Sequence, residues 1–298
     1  MLLRQKKDLS YKNLYLPSDF VLSGGNRKKE ILEKKKFLFS IVTVVLNNAN
    51  YLEETIKSVI NQKVDSEYII IDGGSTDGSL EIIKKYEKFV DLWISEKDFG
   101  IYDAMNKGIK YCTGDYIGII NSGDLYNIDA FQIIKKYIKK NKNLDFIFGS
   151  VMKKKLKYGF YKKKIYWSFD FYPSHSSGFF ISSSVQKKIG LYDTDFKLSA
   201  DHDLFFRLIK NGFIGKSTKK NELIGHFRKV GGSYSSTFSA SDHFKEEINI
   251  RLANGQNKII IFFIILYNYI RKYFRTDKYS IPLLLTINLI KNVFKKQT

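Results

Sequence analysis

The block Asp72-Gly73-Gly74-Ser75-Thr76-Asp77-Gly78 stands directly behind the apolar run Tyr68-Ile69-Ile70-Ile71. A short, β-branched, unbroken apolar run reads as a strand buried on both faces. The strand stops at an acid and two glycines, and Ser75, Thr76 and Asp77 are of the types that cap a helix. Leu80, Ile82, Ile83 and Tyr86 then recur at helical spacing. Strand, acidic glycine turn and capped helix together form the device with which an open α/β sheet builds a nucleotide pocket at the carboxyl ends of its strands. Taken alone, the segment also admits an ordinary βα turn as the less favoured reading.

The neighbouring elements repeat the arrangement. Phe39 to Leu46 predicts a buried strand ending at Asn47-Asn48, followed by a helix with Leu52, Ile56, Val59 and Ile60 on one face. A short strand at Leu92 to Ser95 precedes the block from Glu96 to Gly108 and a helix through Tyr111. Asp115 to Ile120 predicts a further strand, running into Asn121-Ser122-Gly123-Asp124. Strands alternating with helices imply right-handed crossovers and an α/β fold whose central sheet is mostly parallel and flanked by helices. Every polar cluster follows a strand, so the clusters should gather along one edge of that sheet.

Composition sets the outer limits. The 298 residues, 44% hydrophobic, suffice for one large domain with appendages. A single cysteine, Cys112, excludes an internal disulfide and a cysteine metal cluster, which suits a reducing cytoplasm. Residues 1–36 are lysine-rich without a sustained apolar stretch and read as a loose basic extension. The formal charge of +20 admits a nucleic-acid binder, with Lys153-Lys154-Lys155 and Lys162-Lys163-Lys164 gripping phosphate. Those runs flank an expected hairpin or loop around Tyr158-Gly159, however, and such runs are usually solvated faces, so no nucleic-acid partner is expected. Ile259 to Tyr267 and Ile281 to Phe294 are apolar runs followed or punctuated by Arg271, Lys272, Arg275, Lys291, Lys295 and Lys296. Each is shorter than the roughly 20 residues of a spanning helix. They read as amphipathic helices on an anionic membrane surface, with packing against the main domain as the alternative. The chain thus divides into 1–36, a catalytic-type domain at 37–240 and a helical, membrane-peripheral region at 241–298, placed on the inner face of the cell membrane.

Three blocks in fixed order carry a family likeness: Asp72 to Gly78, Gly100-Ile101-Tyr102-Asp103-Ala104-Met105-Asn106-Lys107-Gly108, and Ala200-Asp201-His202-Asp203-Leu204-Phe205-Phe206-Arg207-Leu208. Over about Phe39 to Gly232 the chain resembles the family 2 glycosyltransferases, especially bacterial enzymes of exopolysaccharide and colanic-acid type. The resemblance implies a GT-A fold and inverting transfer of a sugar from a nucleotide-diphosphate sugar, UDP-linked by family habit, to a saccharide or lipid-linked saccharide. It places Thr43 and Asn47 beside the base, Asp72 as acceptor from base or ribose, and Asn121 and Lys107 near the nucleotide and its phosphates. Asp124 would hold a divalent cation, Mg²⁺ or Mn²⁺, with Gly123 standing where the family usually has an acid. Asp201 is the expected base, with His175 and His202 as runners-up or acceptor contacts. Asp203 is expected to cap its helix or pair with Arg207. Asp98, Tyr102 and Asp103 would line the donor sugar or acceptor, and His226 would reach the metal or pyrophosphate. Ser75 and Asp77 are expected to cap a helix. A nucleotidyltransferase, the other sugar-nucleotide reading, lacks support because no glycine-rich N-terminal phosphate loop with a basic residue is present.

Overall fold

Phe39–Val45 is buried at every residue, and its side chains split by parity between two cores. Val42 and Val44 face one helical layer, while Phe39, Ile41 and Val45 face the other. The structure is a computed structural model, and it describes residues 22–28, 37–167, 176–228, 239–273 and 283–294. In chain order its strands and helices begin β1 (Leu22–Gly24), β2 (Phe39–Val45), α1 (Ala49–Ile60), β3 (Ser66–Asp72), α2 (Ser79–Lys85), β4 (Leu92–Ser95) and α3 (Ile101–Tyr111). They continue with β5 (Tyr116–Asn121), β6 (Leu125–Tyr126), α4 (Ala130–Lys140), β7 (Phe146–Phe148), β8 (Ser150–Met152), β9 (Leu156–Lys157), β10 (Phe179–Ser182) and α5 (Ser183–Ile189). The remainder is α6 (Ala200–Lys210), β11 (Gly215–Ser217), β12 (Leu223–His226), α7 (Ala240–Ala253), α8 (Lys258–Tyr273) and α9 (Leu283–Phe294).

The main sheet has the order β1-β4-β3-β2-β5-β10-β7-β11. Its centre, β4-β3-β2-β5, is parallel, as the alternation of strands and helices requires. Helices α1, α2 and α4 supply one core through Leu52, Ile56, Ile83, Phe131 and Ile134. Helices α3, α5, α6 and α7 supply the other through Met105, Ile109, Val185, Leu204, Phe206 and Ile250. Helix α3 lies close on the sheet at Gly108, where a Cβ would stand 2.2 Å from Val42. A second, smaller sheet, β6-β12-β8-β9, is built from two- to four-residue strands that the sequence pattern did not announce.

The structure refines three expectations. Part of the expected loose extension is ordered edge: β1 pairs antiparallel with β4, and Arg27 reaches the buried Glu67 and the Tyr111 carbonyl. The expected hairpin or loop region holds a hairpin whose turn falls at Lys153–Lys155, between β8 and β9, just ahead of Tyr158-Gly159, because Val151 and Met152 pair with Lys157 and Leu156. Helix α7 begins at a capping box between Ser239 and Asp242, runs across the boundary the sequence suggested between residues 240 and 241, and packs on the α/β unit. Its Phe244 and Ile248 also join Ile261, Ile265, Leu289 and Val293 of α8 and α9 in a third apolar cluster. Among the described residues no helix is long and apolar enough to cross a membrane.

Candidate active site

The carboxyl ends of β2 and β3 carry the first polar cluster. Asp72 is wholly buried, and Ser95 of β4 donates its hydroxyl to Oδ2 at 2.6 Å. The Ser75 amide donates to both Asp72 oxygens at 3.1 and 3.3 Å, and the Ser75 hydroxyl donates to Oδ1. This carboxylate therefore builds the turn. Gly73 is tightly hemmed, since a Cβ there would meet Asp98 Oδ2 at 2.4 Å. Asn47 sits at φ 48°, a left-handed conformation asparagine tolerates, and its exposed Oδ1 accepts from the Thr76 amide at 2.8 Å. Asp77 accepts from the Ala49 amide at 2.8 Å and from the Ser79 amide and hydroxyl, so it ties the start of α1 to that of α2. The α2 N-cap itself is Gly78, at φ 95°. Two expectations are corrected here. Thr43 is inside the core, paired with the Tyr68 hydroxyl at 2.9 Å, and has no surface to offer a base. Asp72 has its acceptors filled by serines, which leaves Asn47 as the exposed member of the trio.

The block after β4 is braced from within. Lys107, expected as a helper for phosphate, is buried, with Nζ 2.7 Å from Glu96 Oε1 and 3.4 Å from Asp103 Oδ2. Burial works to lower its ammonium pKa, but the two carboxylates outweigh that and hold it above its ordinary value. Lys107 is thus the staple of the 96–103 loop. Asp103 also accepts from the Phe99 amide at 3.1 Å, and Asp98 from the Gly100 amide at 2.9 Å. Asn106 exchanges two 2.9 Å hydrogen bonds with the Tyr192 backbone, fastening α3 to the loop that precedes α6.

The end of β5 is different. Gly123 turns the chain at φ 102°, a conformation that favours glycine over the acid usual there. Thr55 of α1 brackets the turn: its hydroxyl accepts from the Gly123 amide and donates to the Asp124 carbonyl, each at 2.9 Å. The Asp124 side chain is 2% exposed. Its Oδ1 accepts from the Arg228 amide at 3.1 Å, while Oδ2 is buried with no hydrogen-bond partner among the described residues. Asn121 Oδ1, three residues away, is a second buried oxygen without a partner among those residues. Burial pushes the Asp124 carboxyl up to about 7, against the Arg228 amide, the Lys153 and Arg228 charges and the Ser176 hydroxyl, which pull it down. Two buried, unpartnered oxygens on one turn, one of them anionic at neutral pH only at a cost, fit a hard divalent cation.

Asp201 lies in the first turn of α6. Its Oδ1 accepts from the Tyr102 hydroxyl at 3.2 Å and from the His202 amide at 2.9 Å. Tyr102 is in the first turn of α3, whose start follows the carboxyl end of β4, so this bond ties Asp201 to the polar edge of the sheet. The Asp203 carboxylate pairs with Arg207 Nε at 2.9 Å and accepts from Asn254 Nδ2 at 2.8 Å. His202 is corrected to a packing role: it is wholly buried, with Nδ1 against the Glu247 carboxylate of α7. His226 ends β12 in register with Leu125, the residue after Asp124. His175 lies outside the described residues. Sequence reasoning missed Glu246, whose carboxylate accepts from the consecutive amides of Lys197, Leu198 and Ser199 at 2.8, 2.8 and 2.6 Å. It also missed Thr55 and Ser95, which hold turns that no short motif records, and the role of Asn106.

Known proteins carry the same architecture. Residues 40–198 match the family described as Glycosyl transferase family 2. A stretch of 177 residues is 30% identical to an uncharacterized glycosyltransferase of Mycobacterium tuberculosis, spanning 56% of this chain and 67% of that protein. In three dimensions the chain superposes on TarS 1-349 of S. aureus, solved with UDP-GlcNAc, with a TM-score of 0.63. That match covers 86% of this chain and 80% of the other at 15% identity. A mannosyltransferase of Pyrobaculum calidifontis, in complex with GDP-Man and Mn²⁺, gives 0.61 at 13% identity over 89% and 77% of the two chains. The fold is therefore that of the GT-A transferases. The chain belongs to glycosyl transferase family 2 and is a glycosyltransferase.

Proposed function

We propose that the enzyme transfers a sugar, with inversion, from a nucleoside-diphosphate sugar to a hydroxyl of a saccharide or lipid-linked saccharide in surface polysaccharide synthesis. The observation that carries this reading is the pair of unpartnered buried oxygens of Asn121 and Asp124 at the carboxyl end of β5. With no three His, Cys, Asp or Glu side chains converging among the described residues, protein ligands would be few and donor phosphates would complete the shell. When bound, a divalent cation supplies positive charge to the departing diphosphate. Asp201 takes the proton from the acceptor hydroxyl as that oxygen forms its bond to the anomeric carbon. The bond between the anomeric carbon and the diphosphate oxygen breaks, and its electron pair leaves with the nucleoside diphosphate. Asn47 stands exposed at the mouth of the β2–β3 turn, available to the nucleotide.

The relatives support the donor class. The TarS structure holds UDP-GlcNAc and the mannosyltransferase holds GDP-Man with Mn²⁺. Support for a lipid-borne acceptor comes from α8, where Ile259, Phe263, Tyr267 and Ile270 expose 60, 55, 60 and 44% of their surface. Their spacing makes one apolar stripe on a strongly basic protein, suited to an anionic bilayer surface.

The test is thermal stabilisation by UDP and GDP with and without Mn²⁺, then turnover of UDP- and GDP-sugars. Metal-dependent stabilisation by one diphosphate is expected, together with a loss of roughly 10²–10⁴-fold in turnover for Asp201→Asn without loss of fold. Undiminished turnover by Asp201→Asn removes it as the base. Binding that ignores the metal removes the cation from the reading.

A further inference from the structure

We infer that Glu246 of α7 is a positioning residue for Asp201, acting through the backbone just before α6. The inference rests on Asp201 being the base and adds the device that holds it. A carboxylate that accepts from three successive amides is a strong, geometrically specific clamp, because each hydrogen bond is charge-assisted. Here the three amides belong to Lys197, Leu198 and Ser199, and Ser199 is the N-cap of α6, two residues before Asp201. Glu246 thus supplies, from another helix, the acceptor for the Ser199 amide, the first of the unpaired N–H groups at this helix start.

The far side of the same stretch is held by Tyr102. Its hydroxyl is 3.2 Å from both the Leu198 carbonyl and Asp201 Oδ1. Leu198 is thus gripped through its amide by Glu246 and approached at its carbonyl by the hydroxyl that also touches Asp201. Asn106 fixes the start of the loop through Tyr192, and Asp203 anchors the first turn of α6 to Asn254 and Arg207. Glu246 reaches this stretch from α7, 47 to 49 residues downstream of the three amides it holds. A base must meet the acceptor hydroxyl within a narrow range of distance and angle, so slack in residues 197–199 appears in the chemical step before it appears in donor binding.

The experiment uses the full chain with Glu246→Gln, Tyr102→Phe and the double variant, assayed on the UDP- and GDP-sugar panel. Glu246→Gln keeps an acceptor oxygen but loses the charge and one oxygen. It is expected to lower kcat about tenfold or more while donor KM and the stabilisation by UDP or GDP with Mn²⁺ stay unchanged. The double variant is expected to lose less than the product of the single losses, since both act on one carboxylate. A folded Glu246→Gln enzyme with wild-type kcat overturns the inference, and so does a parallel loss of kcat, donor KM and nucleotide stabilisation. Asp201→Asn in the same assay separates the two claims. Full turnover by that variant strikes the base assignment, whereas full kcat in Glu246→Gln strikes the clamp and leaves Asp201 untouched.

Discussion

Asp72 ends β3 and Asp124 lies three residues past the end of β5, on either side of β2 in one parallel sheet, and both are buried, yet they are opposites. Asp72 receives hydrogen bonds from Ser75 and Ser95 on both oxygens, whereas Asp124 keeps one oxygen without any donor among the described residues. A carboxylate whose acceptors are filled is a building part, since its desolvation is already compensated. One left with a bare oxygen is costly to keep ionised, as its upward-shifted pKa records, and the Lys153 and Arg228 charges offset that cost only in part. Acid residues at strand ends are therefore not interchangeable: hydrogen-bond saturation separates structure from chemistry.

Substitution can break that contrast. The largest expected effect is at Asp124→Asn, which should lower turnover roughly 10²–10³-fold and remove Mn²⁺-dependent nucleotide stabilisation while the metal-free protein melts no lower. Calorimetry with and without the metal checks both halves. Asp72→Asn should do the reverse, costing roughly 3 kcal/mol of stability by urea unfolding, because the amide presents a donor to serine donors. The metal dependence of the surviving folded enzyme should persist. Ser95→Ala sharpens the comparison with a cost of about 2 kcal/mol, the value of one hydrogen bond to a buried charge.

The smallest effect falls at Asp77→Ala, about 1 kcal/mol at neutral pH from loss of the acceptor for the Ala49 and Ser79 amides. Burial works against the Asp77 carboxylate, but those bonds and the Ser79 hydroxyl hold its pKa below the ordinary 3.8. Its contribution is accordingly full above about that pH and fades as pH falls through the folded value. The difference in unfolding midpoint between wild type and Asp77→Ala should close in strong acid.

The parallel half of the sheet was legible because its strands are continuous apolar runs and its helices carry 3.6-residue stripes. Leu92–Ser95 and the end of α3 at Tyr111 fall where the pattern put them. The second sheet was not legible: Leu125, Val151 and Gly225 pair across long separations, and Leu156 pairs with nearby Met152, in strands too short to show a period. Within the site, Asp124 and Asp201 stand out as acids at element ends, but satisfaction cannot be read from type. Nothing in the residue itself distinguishes Asp72 from Asp124, and Lys107 resembles any helix lysine until Glu96 and Asp103 fold against it. Glu246 sits in a polar stretch whose partners lie 47 to 49 residues upstream.

Helix α7 has two employers. One face holds the backbone ahead of Asp201, and Phe244 and Ile248 on the same helix are roofed by α8 and α9. Shortening the chain after α7 to obtain a more tractable fragment would uncover those two side chains and loosen the helix that carries Glu246. Slower catalysis in such a fragment would then arise from a shaken scaffold, even in a test tube without a trace of lipid.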